Sequence, residues 1–100
     1  MLLRIVRMTF KEERTEDFLA LFDSVSGKIR NFQGCTYLKL MRDLHDPLTF
    51  VTYSKWDSQE DLDNYRNSAL FGTVWKKTKS CFSAKPIAFS LIEFSGEIVP

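Results

Sequence analysis

Apolar and polar positions along the chain change period several times, and each change marks an element. Leu2 to Phe10 alternates with a period of two, which reads as a strand. Leu3, Ile5, Arg7 and Thr9 take one face, and Leu2, Arg4, Val6, Met8 and Phe10 take the other. Both faces are largely apolar, although one face of an antiparallel sheet commonly meets water. After the charged run Lys11 to Arg14, Phe18, Phe22, Val25, Ile29 and Phe32 recur at spacings of four, three, four and three, the stripe of an amphipathic helix. Thr15 is the expected cap, Glu16 and Asp17 suit the positive helix end, Lys28 and Arg30 suit the negative end, and Gly34 ends the segment.

The period returns to two from Cys35 to Arg42, with Cys35, Tyr37, Lys39 and Met41 expected on one face and Thr36, Leu38 and Leu40 on the other. Asp43-Leu44-His45-Asp46-Pro47 is rich in turn residues and leads into a strand from Phe50 to Trp56, so the two strands form a hairpin. Asp57 with Glu60, and Ser58 with Asp61, both fit a helix-capping pattern. Leu62 and Tyr65 share one face of the short helix that follows. Asn67 and Ser68 interrupt it, and Ser68 caps a second helix carrying Phe71, Val74, Trp75 and Thr78. Pro86 opens a last strand running to Phe94, with Ile87, Phe89 and Leu91 on one face, and residues 95–100 form a tail.

The order is β-α-β-β-α-β with a broken second helix, the α+β, ferredoxin-like pattern with an antiparallel sheet and helices on one side. A chain of 100 residues is one domain, 1–100. Its strands offer apolar side chains to a second sheet face that no remaining segment covers. The expected cover is a second copy, giving a homodimer through the sheet face.

Charge narrows the function classes. Lys+Arg 14 against Asp+Glu 13 leaves a net charge of +1, without the basic stripe of a nucleic-acid binder. No apolar run is long enough for a bilayer, and Arg4 and Arg7 inside the first apolar run argue against a signal peptide. Cys35 and Cys81 lie far apart and outside any metal-ligand spacing, so two free thiols in the cytoplasm and no metal are expected. Neither thiol has the cation or helix N-terminus that activates a nucleophile. His45, the only histidine, falls in a turn and reads as a solvated residue, and Lys76, Lys77 and Lys79 read as a solvated face.

The candidate chemistry is aromatic. A strand running into a broken helix brings Tyr53 or Trp56 towards Tyr65, Phe71 and Trp75, as core packing or as the walls of a pocket. Arg4 and Glu93 lie on strands that neighbour each other in this topology. They are expected to pair across the sheet, the alternative for Arg4 being a polar anchor at a pocket mouth.

Three stretches, Phe32-x-Gly34-Cys35, Phe50-x-x-Tyr53-x-x-Trp56-x-Ser58-x-Glu60-x-Leu62 and Tyr65-x-x-Ser68-x-x-Phe71, resemble the antibiotic biosynthesis monooxygenase family of dimeric α+β barrels. The resemblance implies a cofactor-independent monooxygenase acting on a small phenolic or quinol-type aromatic, with no cofactor. A non-catalytic ligand-binding or stress-response dimer is the alternative, and a protein whose own side chains fill the pocket is a third. Under the first reading Val6, Tyr53, Trp56, Phe71 and Trp75 bind the ligand, Tyr65 hydrogen-bonds the substrate oxygen, and Arg66 stabilises a phenolate. Two histidines common in the family are replaced here by Tyr65 and Leu70, which removes the obvious base. The family's haem-degrading branch needs an asparagine, a tryptophan and an iron-ligating histidine where this chain has Val6, Tyr65 and Trp75. An indole nitrogen has no lone pair for iron, so that chemistry is not expected.

Overall fold

The computed structural model describes residues 1–94, and the expected tail, 95–100, lies outside the described residues. Four strands, β1 (Leu2–Thr9), β2 (Cys35–Arg42), β3 (Thr49–Trp56) and β4 (Ile87–Ile92), form one sheet in the order β2-β3-β1-β4. Every neighbouring pair is antiparallel. Three helices, α1 (Thr15–Arg30), α2 (Gln59–Arg66) and α3 (Ala69–Lys79), supply the second layer. The α+β ferredoxin-like expectation therefore holds, including the β2–β3 hairpin and the break between α2 and α3.

Local chemistry explains the boundaries. Ser58 caps α2 by accepting from the Asp61 amide at 3.1 Å, and Ser68 caps α3 by accepting from the Phe71 amide at the same distance. Thr15 does not cap α1: it is already helical, and its hydroxyl donates to the Lys11 carbonyl at 2.9 Å. A 3-10 turn over Glu12–Arg14 delivers the chain into α1, so Arg14 holds the cap position without a side-chain bond. In the hairpin, Asp43 Oδ2 accepts from the amides of His45 and Asp46, each at 2.9 Å, closing the turn. Gly34 has φ +90°, where a side chain is strained, and its carbonyl accepts from the Asp57 amide at 2.8 Å.

The core lies on one side of the sheet only. The cross-strand partners Leu2–Trp56, Arg4–Ser54, Val6–Thr52 and Met8–Phe50 all face the helices. One buried cluster joins Leu2, Ile29, Cys35, Trp56, Leu62 and Tyr65; a second joins Met8, Phe10, Phe18, Phe50 and Cys81. Phe10 and Phe18 stack with ring centroids 4.0 Å apart in the second cluster. Cys35 was expected beside Tyr37 on the opposite face. A register shift between Cys35 and Tyr37 turns it to the helix side, opposite Trp56, where it is buried.

The opposite sheet face is open and largely apolar. Ile5, Tyr53 and Phe89 align across three strands, flanked by the rows Lys55, Leu3, Leu91 and Val51, Arg7, Ile87. Ile87, Phe89 and Leu91 keep 52%, 42% and 47% of their surface accessible, well above what a covered strand shows. None of the three helices lies on this face. No helix among the described residues is long and apolar enough to cross a membrane.

Candidate functional site

The helical layer does not close completely on the sheet. Between them lies a cavity of about 210 Å³. For scale, a dry cavity of about 150 Å³ accommodates benzene, so this space suits one substituted ring or two fused rings. The third alternative, a pocket filled by the protein's own side chains, is not what these residues form.

Strand alternation decides which side chains reach it. Val6 and Arg4 of β1, Thr52, Ser54 and Trp56 of β3, Leu38 of β2 and Ala88 of β4 form the sheet wall. Tyr65 and Arg66 come from the end of α2, and Phe71, Val74 and Trp75 come from α3. The break at Asn67–Ser68 makes this possible, because it turns α3 so that its apolar stripe continues the wall begun by α2. Six of the seven residues expected at the site are thus brought together: Val6, Trp56, Tyr65, Arg66, Phe71 and Trp75. Tyr53 is the exception. It is three residues before Trp56 on the same strand and so points to the opposite face. There it meets Tyr37 edge-on at 5.7 Å, with the Lys55 ammonium over both rings.

The aromatic wall is a continuous chain of rings. Trp56 stacks on Tyr65 at 5.0 Å, Tyr65 meets Phe71 edge-on at 5.2 Å, Phe71 stacks on Trp75 at 5.7 Å, and Trp75 meets Phe82 edge-on at 5.6 Å. Each ring fixes the next, so the wall is pre-organised. Trp56 is 1% exposed, and its indole N–H donates to Ser54 Oγ at 3.0 Å. That donor is committed to the protein and is not offered to a ligand.

Polar groups on the cavity are few. Tyr65 lines the cavity, and its hydroxyl has no hydrogen-bond partner among the described residues, where no sealed polar side-chain atom lacks one, so the hydroxyl is not shut away in the core. Burial, with a smaller contribution from Cys35, pushes its pKa up to about 12. At neutral pH Tyr65 is therefore a protonated donor and not a base. Arg4 donates from Nη1 to Ser90 Oγ at 3.1 Å, and its expected partner is absent: the β1–β4 register sets Arg4 opposite Ser90, not Glu93. Burial, and then the charge of Arg66, lower the Arg4 pKa. Among the described residues no histidine or carboxylate lines the cavity, and no group of three or more His, Cys, Asp or Glu side chains is placed to hold a metal ion. His45 sits exposed in the hairpin turn.

Sequence reasoning missed Thr52 and Ser54 as wall residues, although both share the phase of Trp56 along β3. It gave Leu38 a strand face and Val74 a helix stripe without placing either at the site. The signal that finds them is the same period that excludes Tyr53.

Cys35 and Cys81 are free and buried, in different core clusters. Burial pushes the Cys35 thiol up, against the opposing effects of a hydrogen bond with the Tyr37 backbone and the charge of Arg30. Both thiols are packing groups.

Among solved structures, one described as an antibiotic biosynthesis monooxygenase is 22% identical over 100% of both chains, with a TM-score of 0.85. A conserved protein from Methanosarcina mazei Go1 is 18% identical over 91% of each chain, also with a TM-score of 0.85. A protein from Pseudomonas aeruginosa is 18% identical over 94% of each chain, with a TM-score of 0.82. At these identities the likeness is one of fold. No curated protein sequence matches the chain. The sequence model of the antibiotic biosynthesis monooxygenase family matches residues 1–77, which contain β1 to β3 and nearly all of the helical layer. The chain belongs to the antibiotic biosynthesis monooxygenase family.

Proposed function

We propose that this chain, as one domain over residues 1–100, is a cofactor-independent monooxygenase acting on a small phenolic or quinol-type aromatic. The observation that carries the reading is the ring-walled cavity, which Tyr65 and Arg66 also line. In the reaction a phenol and dioxygen give a quinone and water. The substrate supplies four electrons, one oxygen atom enters the ring carbon as the new carbonyl, and the other leaves as water. The phenol first loses its proton to solvent, since no lining residue is a base. Arg66 holds the resulting phenolate, and the protonated Tyr65 donates to an oxygen that gains charge. Val6, Trp56, Phe71 and Trp75 keep the ring in place and exclude water. Tyr53 has no part in this scheme.

The functional unit is a homodimer joined through the open sheet face. The row Ile5, Tyr53 and Phe89, with Leu3, Leu91, Val51 and Ile87 beside it, supplies an apolar patch that one chain leaves uncovered, with Arg7 and Lys55 the cations among them. Two unpaired thiols fit the reducing environment of the cytoplasm.

Oxygen uptake with a panel of naphthols and hydroquinones tests the activity. The expected result is uptake matched by quinone formation, with Tyr65→Phe losing at least about ten-fold in kcat while ligand affinity stays unchanged. No uptake across the panel refutes it. A second reading, a binding dimer without catalysis, is favoured by the lack of any base on the cavity. It predicts tight binding of the same compounds with no uptake.

A further inference from the structure

Arg4 and Arg66 reach the same cavity from different elements, one from the middle of β1 and one from the last turn of α2. Neither has a carboxylate partner among the described residues, where the only ion pair is Arg14–Asp17 at 2.8 Å. The acids nearest Arg66 in sequence are turned to other work. Asp63 Oδ1 accepts from Gln59 Nε2 at 2.8 Å, and Asp61 Oδ2 accepts from Ser58 Oγ at 3.0 Å. Arg4 spends one donor on the neutral Ser90 hydroxyl, which fixes the guanidinium against the sheet, and its other N–H groups have no side-chain partner among the described residues. Everything between the two cations and the far wall is aromatic or aliphatic apart from Thr52, Ser54, Thr78 and Tyr65.

Two like charges lining one apolar space, with no acid among the described residues to relieve them, point to a ligand. It is an aromatic body carrying a permanent anion. We propose that Arg4 and Arg66 together clamp a carboxylate attached to the ring system, so that the substrate class is an aromatic hydroxy acid and not a neutral phenol. The planar guanidinium presents paired donors at the spacing of carboxylate oxygens, which favours this anion over a diffuse one. Burial, and after it the charge of Arg66, disfavour the Arg4 cation, and an anion entering between the two relieves the repulsion. The ring then lies along Trp56, Phe71 and Trp75, and with the hydroxyl on the carbon next to the carboxylate, Arg66 can serve both the carboxylate and the phenolate oxygen. The inference rests on the cavity being the substrate site.

Isothermal titration calorimetry of the full chain with 1-hydroxy-2-naphthoate and with its methyl ester tests it. The two probes share one ring system and differ in formal charge. The acid is expected to bind at least about ten-fold tighter than the ester, and more weakly as salt is raised. Arg4→Met and Arg66→Gln are each expected to lose about ten-fold for the acid and to leave the ester within about two-fold. Arg66 is exposed on a helix, so its substitution leaves the fold intact even where Arg4→Met does not. Equal affinity for acid and ester, unchanged in Arg66→Gln, overturns the clamp and leaves the cavity reading standing. Binding of neither probe overturns both.

Discussion

Gly34→Ala and Gly27→Ala are the same substitution at two sites, and they are expected to have opposite signs. Gly34 has φ +90°, and an added Cβ would collide with Cβ, Cγ and Oδ2 of Asp61 in the first turn of α2. The conformation alone costs an alanine roughly 1–2 kcal/mol. Relieving the collision costs roughly 1–3 kcal/mol more, because Asp61 is held at the Ser58 cap and its backbone cannot simply step aside. The sum, about 2–5 kcal/mol, is a large part of the about 5–15 kcal/mol that stabilises a domain. Gly27 lies within α1, exposed, and nothing lies within 4 Å of a Cβ placed there. Alanine at that position removes unfolded-state freedom and gains roughly 0.5–1 kcal/mol. In thermal melts followed by near-UV circular dichroism at one protein concentration, Gly34→Ala is expected to fall by at least about 10 °C and Gly27→Ala to rise by a few degrees. Shifts of the same sign, or a Gly34→Ala melt within about 2 °C of the parent, would refute the reasoning. Because α2 starts against Gly34 and ends at Tyr65 and Arg66, Gly34→Ala should also weaken ligand binding.

Tyr65 predicts a loss of stability in alkali. Its folded pKa is raised from 10.0 to about 12. Below pH 10 both states keep the phenol proton. Between about 10 and 12 the unfolded chain ionises first, so stability falls as pH rises, by up to about 2–3 kcal/mol, and urea melts of Tyr65→Phe should show a shallower fall. Phe89→Glu places a charge on the open sheet face, and sedimentation velocity should then find a monomer where the parent is a dimer. A parent that sediments as a monomer rejects the assembly. The Tyr65→Phe oxygen-uptake comparison and the acid–ester titration stand beside these as tests of the site.

The helix stripe was legible because Phe18, Phe22, Val25 and Ile29 can satisfy only one geometry, and the caps at Ser58 and Ser68 because a hydroxyl three residues ahead of an amide has a defined partner. Thr15 misled because its hydroxyl can equally bond backward, and the 3-10 turn gave it the Lys11 carbonyl. Cys35 was misplaced by a bulge, which shifts side-chain phase without leaving a mark in the apolar pattern. The pairing of Arg4 with Ser90 was hidden for a different reason. β1 and β4 share no turn, so their register comes from packing across the sheet and not from local sequence. Tyr53 was the avoidable error: strand period alone separates it from Trp56. The cavity itself was only half legible. Its rings stand in the sequence, but whether they meet or leave a gap depends on how far the broken α2–α3 pair stands off the sheet.

The strand order has a consequence for how the chain is made. β1 sits inside the sheet, but its second neighbour, β4, is synthesised only after every other strand and helix of the fold. The register pairs Leu2 with Ile92, nearly the full length of the chain apart. Until that pairing closes, one side of β1 is a bare row of amides and carbonyls beside an apolar surface, open to any other extended chain. The stretch matched by the family's sequence pattern ends at residue 77, before this closing strand. A translation product halted at that point would carry the recognisable motifs and yet be an incomplete sheet, prone to self-association. Non-local closure of this kind also slows folding, so the interval between synthesis and completion is the protein's most vulnerable one.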